Sequence, residues 1–177
     1  MIEEKIIKKY ISNDLKFVVE GNTVVFNVSI LDIANICQKL YFEHQMQLKT
    51  ITATDERHEN NCFKIFYVFG LPRENIFFIP YIILKDTKEF PSITKSIHEA
   101  SGYERKIKTF FGLNPVGHPH LRPILLHENW PAEKFPLRKD FNWQERPAEV
   151  DGLYEFQKVK GEGIYEIPVG PVHAGIN

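Results

Sequence analysis

The stretch from His118 to Phe141 limits what this chain can fold into more than any other. Pro119, Pro123, Pro131 and Pro136 each remove a backbone donor and push the preceding residue toward extended geometry, which excludes one long helix or a central strand. The same stretch carries Leu121, Ile124, Leu125, Leu126, Trp130, Phe135, Leu137 and Phe141, whose apolar surface needs burial. A proline-ruled segment of this kind lies in a groove. The groove belongs either to its own domain or to a partner, and that choice is the main question about function.

The remainder reads as one globular domain. The chain has 177 residues, 43% hydrophobic and 25% charged, which suits a soluble domain with length left over for an arm. A formal net charge of −1 supplies no long-range field for nucleic acid or an anionic membrane. Cys37 and Cys62 lie far apart, and two thiols alone hold neither an iron–sulfur cluster nor zinc. Both are expected free and buried in a reducing, cytosolic setting. Residues 1–9 have mixed charge and lack the apolar core of a signal peptide. The most apolar run, 76–84, contains Pro80 and falls far short of the roughly 20 residues that span a bilayer.

Periodicity then orders the elements. Residues 2–12 place Ile2, Ile6, Ile7, Tyr10 and Ile11 on one helical stripe. Two β-branched runs, 16–20 and 23–28, flank Gly21-Asn22 and predict a hairpin. Ser29 and Asp32 have capping-box spacing and open a helix burying Ile33, Ile36, Cys37, Leu40 and Tyr41. A strand over 48–55, a polar loop over 55–61 and a strand over 63–69 follow. A further strand over 75–85 is placed at an edge or a bulge because of Pro80. Short helices are expected from Pro91-Ser92 and from Ser101, the second capped by Glu104. The order α-β-β-α-β-β-β-α-α predicts an α+β fold, a mostly antiparallel sheet flanked by helices and followed by a proline-rich extended C-terminal arm. Eight of the 11 prolines and both tryptophans lie beyond residue 114, so the division is 1–114 for the α/β domain and 115–177 for the arm.

Catalytic patterns are weak throughout. His118, His120 and His127 could be read as a metal site of a stand-alone enzyme, but a third ligand of fixed spacing is missing, Pro119 is a turn former, and closed sites normally need four ligands. No serine stands in G-x-S-x-G, and residues 112–117 lack the Lys and Ser/Thr of a phosphate loop. Arg138-Lys139-Asp140 reads as a salt-bridged face rather than a phosphate site.

Gly117-His-Pro-His-Leu-Arg122 and Pro136-Leu-Arg-Lys-Asp-Phe141, led in by Phe90-Pro-Ser-Ile-Thr94, Tyr103-Glu-Arg105 and Phe111-Gly112, resemble the thirty-kilodalton subunit family of respiratory complex I, the NADH dehydrogenase. Asn114-Pro-Val-Gly117, Asn129-Trp-Pro-Ala-Glu133 and Arg146-Pro147 further resemble the N-terminal region of formate hydrogenlyase-type membrane-bound nickel–iron hydrogenase large subunits. Residues 154–156 and 167–175 resemble the junction into the catalytic part of such a large chain. Lys106, Thr109, His120 and Pro123 stand where the family carries Glu, Asp, Asp and Arg, so contacts made by those charges do not carry over. The resemblance implies an accessory and assembly role without chemistry or cofactor in this chain. Iron–sulfur clusters and a nickel–iron centre would belong to partner subunits. It implies docking of a large catalytic subunit and a small iron–sulfur subunit through Arg122, Trp130, Phe135, Leu137, Arg138, Lys139 and Asp140. It also implies a cytoplasmic place, peripheral on the inner face of the cell membrane, with membrane contact only through the complex and no nucleic-acid partner.

Overall fold

The computed structural model describes residues 7–8, 10, 15–127, 129–144, 147–148, 150 and 160–165. Most of the helix expected over 2–12 lies outside these residues, as do 154–156 and 167–175 with His173. Within the first of these, Ile7 is fully buried, and Tyr10 packs edge-on against Phe78.

The Gly21-Asn22 hairpin joins β1 (Phe17–Glu20) to β2 (Thr23–Asn27), with Gly21 at φ 59°, a left-handed value that glycine takes without a Cβ penalty. Ser29 then makes a turn rather than a capping box. Its Oγ accepts from Leu31 N at 3.2 Å, and α1 (Ile33–Gln38) starts beyond it without a side-chain cap. The helix widens into a π-turn over Lys39–Glu43, and Ile33, Cys37 and Leu40 are buried as the spacing predicts. β3 (Gln47–Glu56), β4 (Cys62–Leu71) and β5 (Ile76–Leu84) form an antiparallel meander. The polar run expected to be a loop over 55–61 instead ends β3 at Glu56 and continues as α2 (Arg57–Asn60), a single helical turn closed by Asn61 in the left-handed region.

The five-stranded sheet has the order β1-β2-β5-β4-β3, antiparallel except where β2 runs parallel to β5. Pro80 therefore sits in the central strand, neither at an edge nor in a bulge. Phe77 N–H and Tyr81 C=O bond toward the β2 side, so the alternate residues of β5, Pro80 among them, face β4. There the pairing runs Phe66–Tyr81 and then Phe69–Phe78 in unbroken register, leaving Tyr67 and Val68 without a β5 partner. One gap in the ladder accommodates the missing donor, so the strand need not move to the rim.

One face of the sheet carries Val24, Phe26, Ile51, Ile65, Tyr67, Phe69, Phe78 and Ile82 into the core. α1 packs there on β5 and α3 (Ala100–Phe111) on β3. The short strands β6 (Glu89–Pro91) and β7 (Asn114–Val116) pair in parallel around α3. Pro91 thus ends a strand rather than starting a helix, and β7 begins at residue 114. Glu104, expected to cap its own helix, is fully buried. It instead accepts from Ser92 Oγ at 2.5 Å, Ile93 N at 2.7 Å and Thr94 Oγ1 at 2.7 Å.

Candidate docking segment

Beyond β7, the described residues from Gly117 to Gln144 form turns and bends, with no helix or strand among them. Proline explains that absence of regular pairing, and side chains of the domain take its place. Arg105 donates from Nε to the carbonyl of Arg122 at 2.8 Å and from Nη2 to that of Pro123 at 3.0 Å. The Oγ1 of Thr109 accepts Ile124 N at 3.4 Å. The chain then leaves α3 through Leu125, a non-glycine residue at φ 68°. It turns at Trp130, whose Nε1 donates to Lys134 O at 2.7 Å, and returns to α3 where Leu137 N donates to Phe110 O at 3.2 Å. Both ends of the 124–137 loop are thus tied to successive residues of one helix. A cleft of about 420 Å³ lies under the loop, between Thr109, Gly112, Leu121, Leu126, Trp130 and Phe135.

The run that follows is anchored by charge. Arg138 donates from Nε to Phe111 O at 2.6 Å, with its guanidinium 4.1 Å from the Phe135 ring centre and 5.6 Å from that of Phe63. Burial, and then the neighbouring Arg57, disfavour its charged form. Lys139 donates its backbone N–H to Asp55 Oδ2 at 3.0 Å and its Nζ to Glu59 at 2.6 Å. Asp140 receives both terminal nitrogens of Arg57, at 3.1 and 2.9 Å. Arg57 also grips Asp55 through Nε at 2.9 Å and Nη2 at 2.6 Å. The Asp55 side chain is 1% exposed, and its carboxyl is held well below the usual range, first by the Arg57 hydrogen bonds and then by the Lys139 and Arg57 amides.

Of the seven residues singled out from the sequence, Phe135, Arg138, Lys139 and Asp140 come together against the domain. Trp130 is half-buried inside the loop, 6.2 Å from the Phe141 ring, and Leu137 is 49% exposed. Arg122 offers its carbonyl to Arg105 while its side chain is exposed. Sequence reasoning missed the receiving side: Asp55, Arg57, Glu59, Phe63, Arg105 and Gly112. The alternating charges of 55–59 were the available signal, since they complement Arg138-Lys139-Asp140, but a polar run between two strands also looks like a loop.

The histidines are not gathered. His118 receives His120 N on Nδ1 at 3.0 Å and lies 3.2 Å from Ser101 Oγ through Nε2, so local contacts use both ring nitrogens. Among the described residues no group of three or more His, Cys, Asp or Glu side chains is placed to hold a metal ion. No described helix is long and apolar enough to cross a membrane.

Comparison with known proteins gives one family. The sequence model for "Respiratory-chain NADH dehydrogenase, 30 Kd subunit" matches residues 26–147. Hydrogenase-4 component G of Escherichia coli (strain K12) is 31% identical over 155 residues, 85% of this chain and 28% of that protein. Formate hydrogenlyase subunit 5 of the same organism is 31% identical over 157 residues, again 85% of this chain and 27% of that protein. The chain therefore spans less than a third of these relatives' length. In fold it matches a chain of the membrane-bound sulfane sulfur reductase, an archaeal respiratory membrane complex. The TM-score is 0.70 at 18% identity, covering 86% of this chain and 98% of that one.

Proposed function

Because this chain belongs to the family of the respiratory-chain NADH dehydrogenase 30 Kd subunit, found in membrane respiratory and hydrogenase complexes, we propose that its task is docking rather than catalysis. It serves as an accessory and assembly part of a complex of the NADH dehydrogenase or formate hydrogenlyase type. The segment after β7 meets a large catalytic subunit and a small iron–sulfur subunit, and the iron–sulfur clusters and any nickel–iron centre reside in them. Arg122, Trp130, Phe135, Leu137, Arg138, Lys139 and Asp140 carry this docking, some by contact and some by holding the segment in place. The protein lies on the inner, cytoplasmic face of the membrane and reaches it only through the complex.

The observation that carries this reading is the exposed apolar surface of the segment. Leu125 is 72% exposed and Leu137 49%, in a stretch whose backbone is tied to α3 at both ends, and Trp143, beyond that stretch, is 81% exposed. Proline and fixed anchors lower the ordering cost of association, and aromatic residues dominate binding energy at interfaces.

The test is co-isolation of the full chain with its complex from detergent-solubilised membranes. Trp130→Ala and Arg138→Ala are expected to lower recovery of the large and iron–sulfur subunits by roughly tenfold each, equivalent to about 1.4 kcal/mol, while the free chain stays folded. Undiminished recovery in both variants refutes docking through this segment. Stoichiometric metal in the purified chain, lost on substituting any one of His118, His120 and His127, would favour the metal-enzyme reading instead.

A further inference from the structure

We propose that the run Pro136–Asp140 is a strap that binds its own domain, closing on a seat built from Asp55, Arg57, Phe63 and Gly112 before any partner arrives. The strap closes whether or not the segment later meets another protein, because every contact it uses lies within this chain.

Three features of the seat fit the strap's sequence. The first is the spacing of Arg138 and Asp140. Arg138 lies close enough to Arg57 for the two cations to disfavour one another. Inserting a second guanidinium there needs a second carboxylate, and Asp140 supplies it by taking the face of Arg57 that Asp55 leaves open. Two anions and two cations then close a compensated network, in which Arg57 bridges both carboxylates with its planar fork.

The second is the backbone. Asp55 is buried, and it spends one carboxylate oxygen on the Lys139 amide as well as on Arg57. That contact fixes the register of the strap whatever the Lys139 side chain does. The Lys139–Glu59 pair, 45% and 58% exposed, adds only a screened surface contact.

The third is Gly112. It ends α3 at φ 66°, and a Cβ built there would fall 2.5 Å from both Arg138 Nη2 and Phe135 Cζ. The left-handed helix end favours glycine, and a Cβ there would also push the ends of the Arg138 and Phe135 side chains aside. Arg138 fills that space as a flat plate against Phe135, with Nε–H on the last helical carbonyl. A lysine has no such plate. The Arg138 Nη2 is the one buried side-chain nitrogen without a hydrogen-bond partner among the described residues, so the Arg138 side chain is held by stacking and by Nε rather than by a full set of bonds.

The experiment is hydrogen exchange read by mass spectrometry on the full chain, purified free of partner subunits. In the wild-type chain, amides of residues 137–141 are expected to exchange at least tenfold more slowly than in an unstructured peptide of the same sequence. Arg138→Lys, which keeps the charge, is expected to remove most of that protection while peptides from β4 and β5 stay protected. Asp140→Asn provides a second variant whose site is 55% exposed and outside the core, and it should loosen the same amides. Unprotected strap amides in the wild-type chain overturn the proposal. So does undiminished protection in both variants, and neither result depends on whether the chain recovers its complex.

Discussion

Glu104 shows how a single carboxylate can organise a fold with no ion pair among the described residues. It lies on α3, fully buried, and its two oxygens collect Ser92 Oγ, Ile93 N and Thr94 Oγ1 from the turn that leads out of β6. The backbone donor matters most, because a buried N–H without an acceptor costs about 1–3 kcal/mol. Glu104→Ala strands that amide together with two hydroxyls, and the urea midpoint should fall by the equivalent of at least about 2 kcal/mol. Glu104→Gln should cost less, since one acceptor oxygen remains. Sequence spacing puts this residue correctly on a helix but aims it wrongly. Ser-x-x-Glu is a local signature, and the competing donors of residues 92–94 become visible only once β6 has folded back over α3. The same limit applies at Asp55 and Arg57. Their charge alternation is legible, whereas their role depends on Lys139 and Asp140, more than 80 residues away.

At the level of elements, the strands are the legible part. Alternation over β3, β4 and β5 is unambiguous because each presents one face to the core, and hairpin chemistry at Gly21-Asn22 specifies the first turn. Pro80 misleads because the rule concerns a donor, and the gap between β4 and β5 is confined to two positions of one ladder. β5 is the keystone, paired on both sides, and its inward residues are fully buried or nearly so. Phe78→Ala is expected to destabilise by about 3–5 kcal/mol, measured as a shift of the urea midpoint. Val18→Ala, on the edge strand β1 and 60% exposed, should change stability by less than about 0.5 kcal/mol. Comparable losses from both would mean that the sheet is not centred on β5. The helix over 33–43 is legible in its buried stripe but not in its π-turn, which the sequence pattern does not encode.

For the whole molecule, the electrostatic network between the domain and its C-terminal segment sets how stability responds to acid. Asp55 titrates near 3.9 when unfolded and well below that when folded, because Arg57 and two amides hold its anion. Asp140 is shifted the same way by Arg57. A carboxylate with a depressed folded value contributes its full stabilisation above the unfolded value and loses it as pH falls toward the folded one. Stability from this network should therefore be flat between pH 7 and about pH 5 and decline below about pH 4. Asp55→Asn should lower the urea midpoint at pH 7 and flatten the acid limb; an unchanged acid limb would mean the network contributes nothing. The family is legible from the Gly-His-Pro and Pro-Leu-Arg-Lys-Asp runs. What those runs touch is not, since a motif records which residues recur and leaves open whether their partner is another protein or the same chain.

The parallel seam between β2 and β5 has a consequence for how the chain is born. Thr23 must find Phe77, and Val25 must find Ile79, across a span that includes α1 and both of the intervening strands. A ribosome adds about 5–20 residues per second, so the first hairpin waits roughly 3–10 s for its mate. During that interval Val24 and Phe26 have no sheet to cover them, and the β3–β5 meander must be synthesised in full before the hairpin can join. The β1–β2 hairpin is thus synthesised well before the strand it must join, and its apolar face stays uncovered until β5 has emerged.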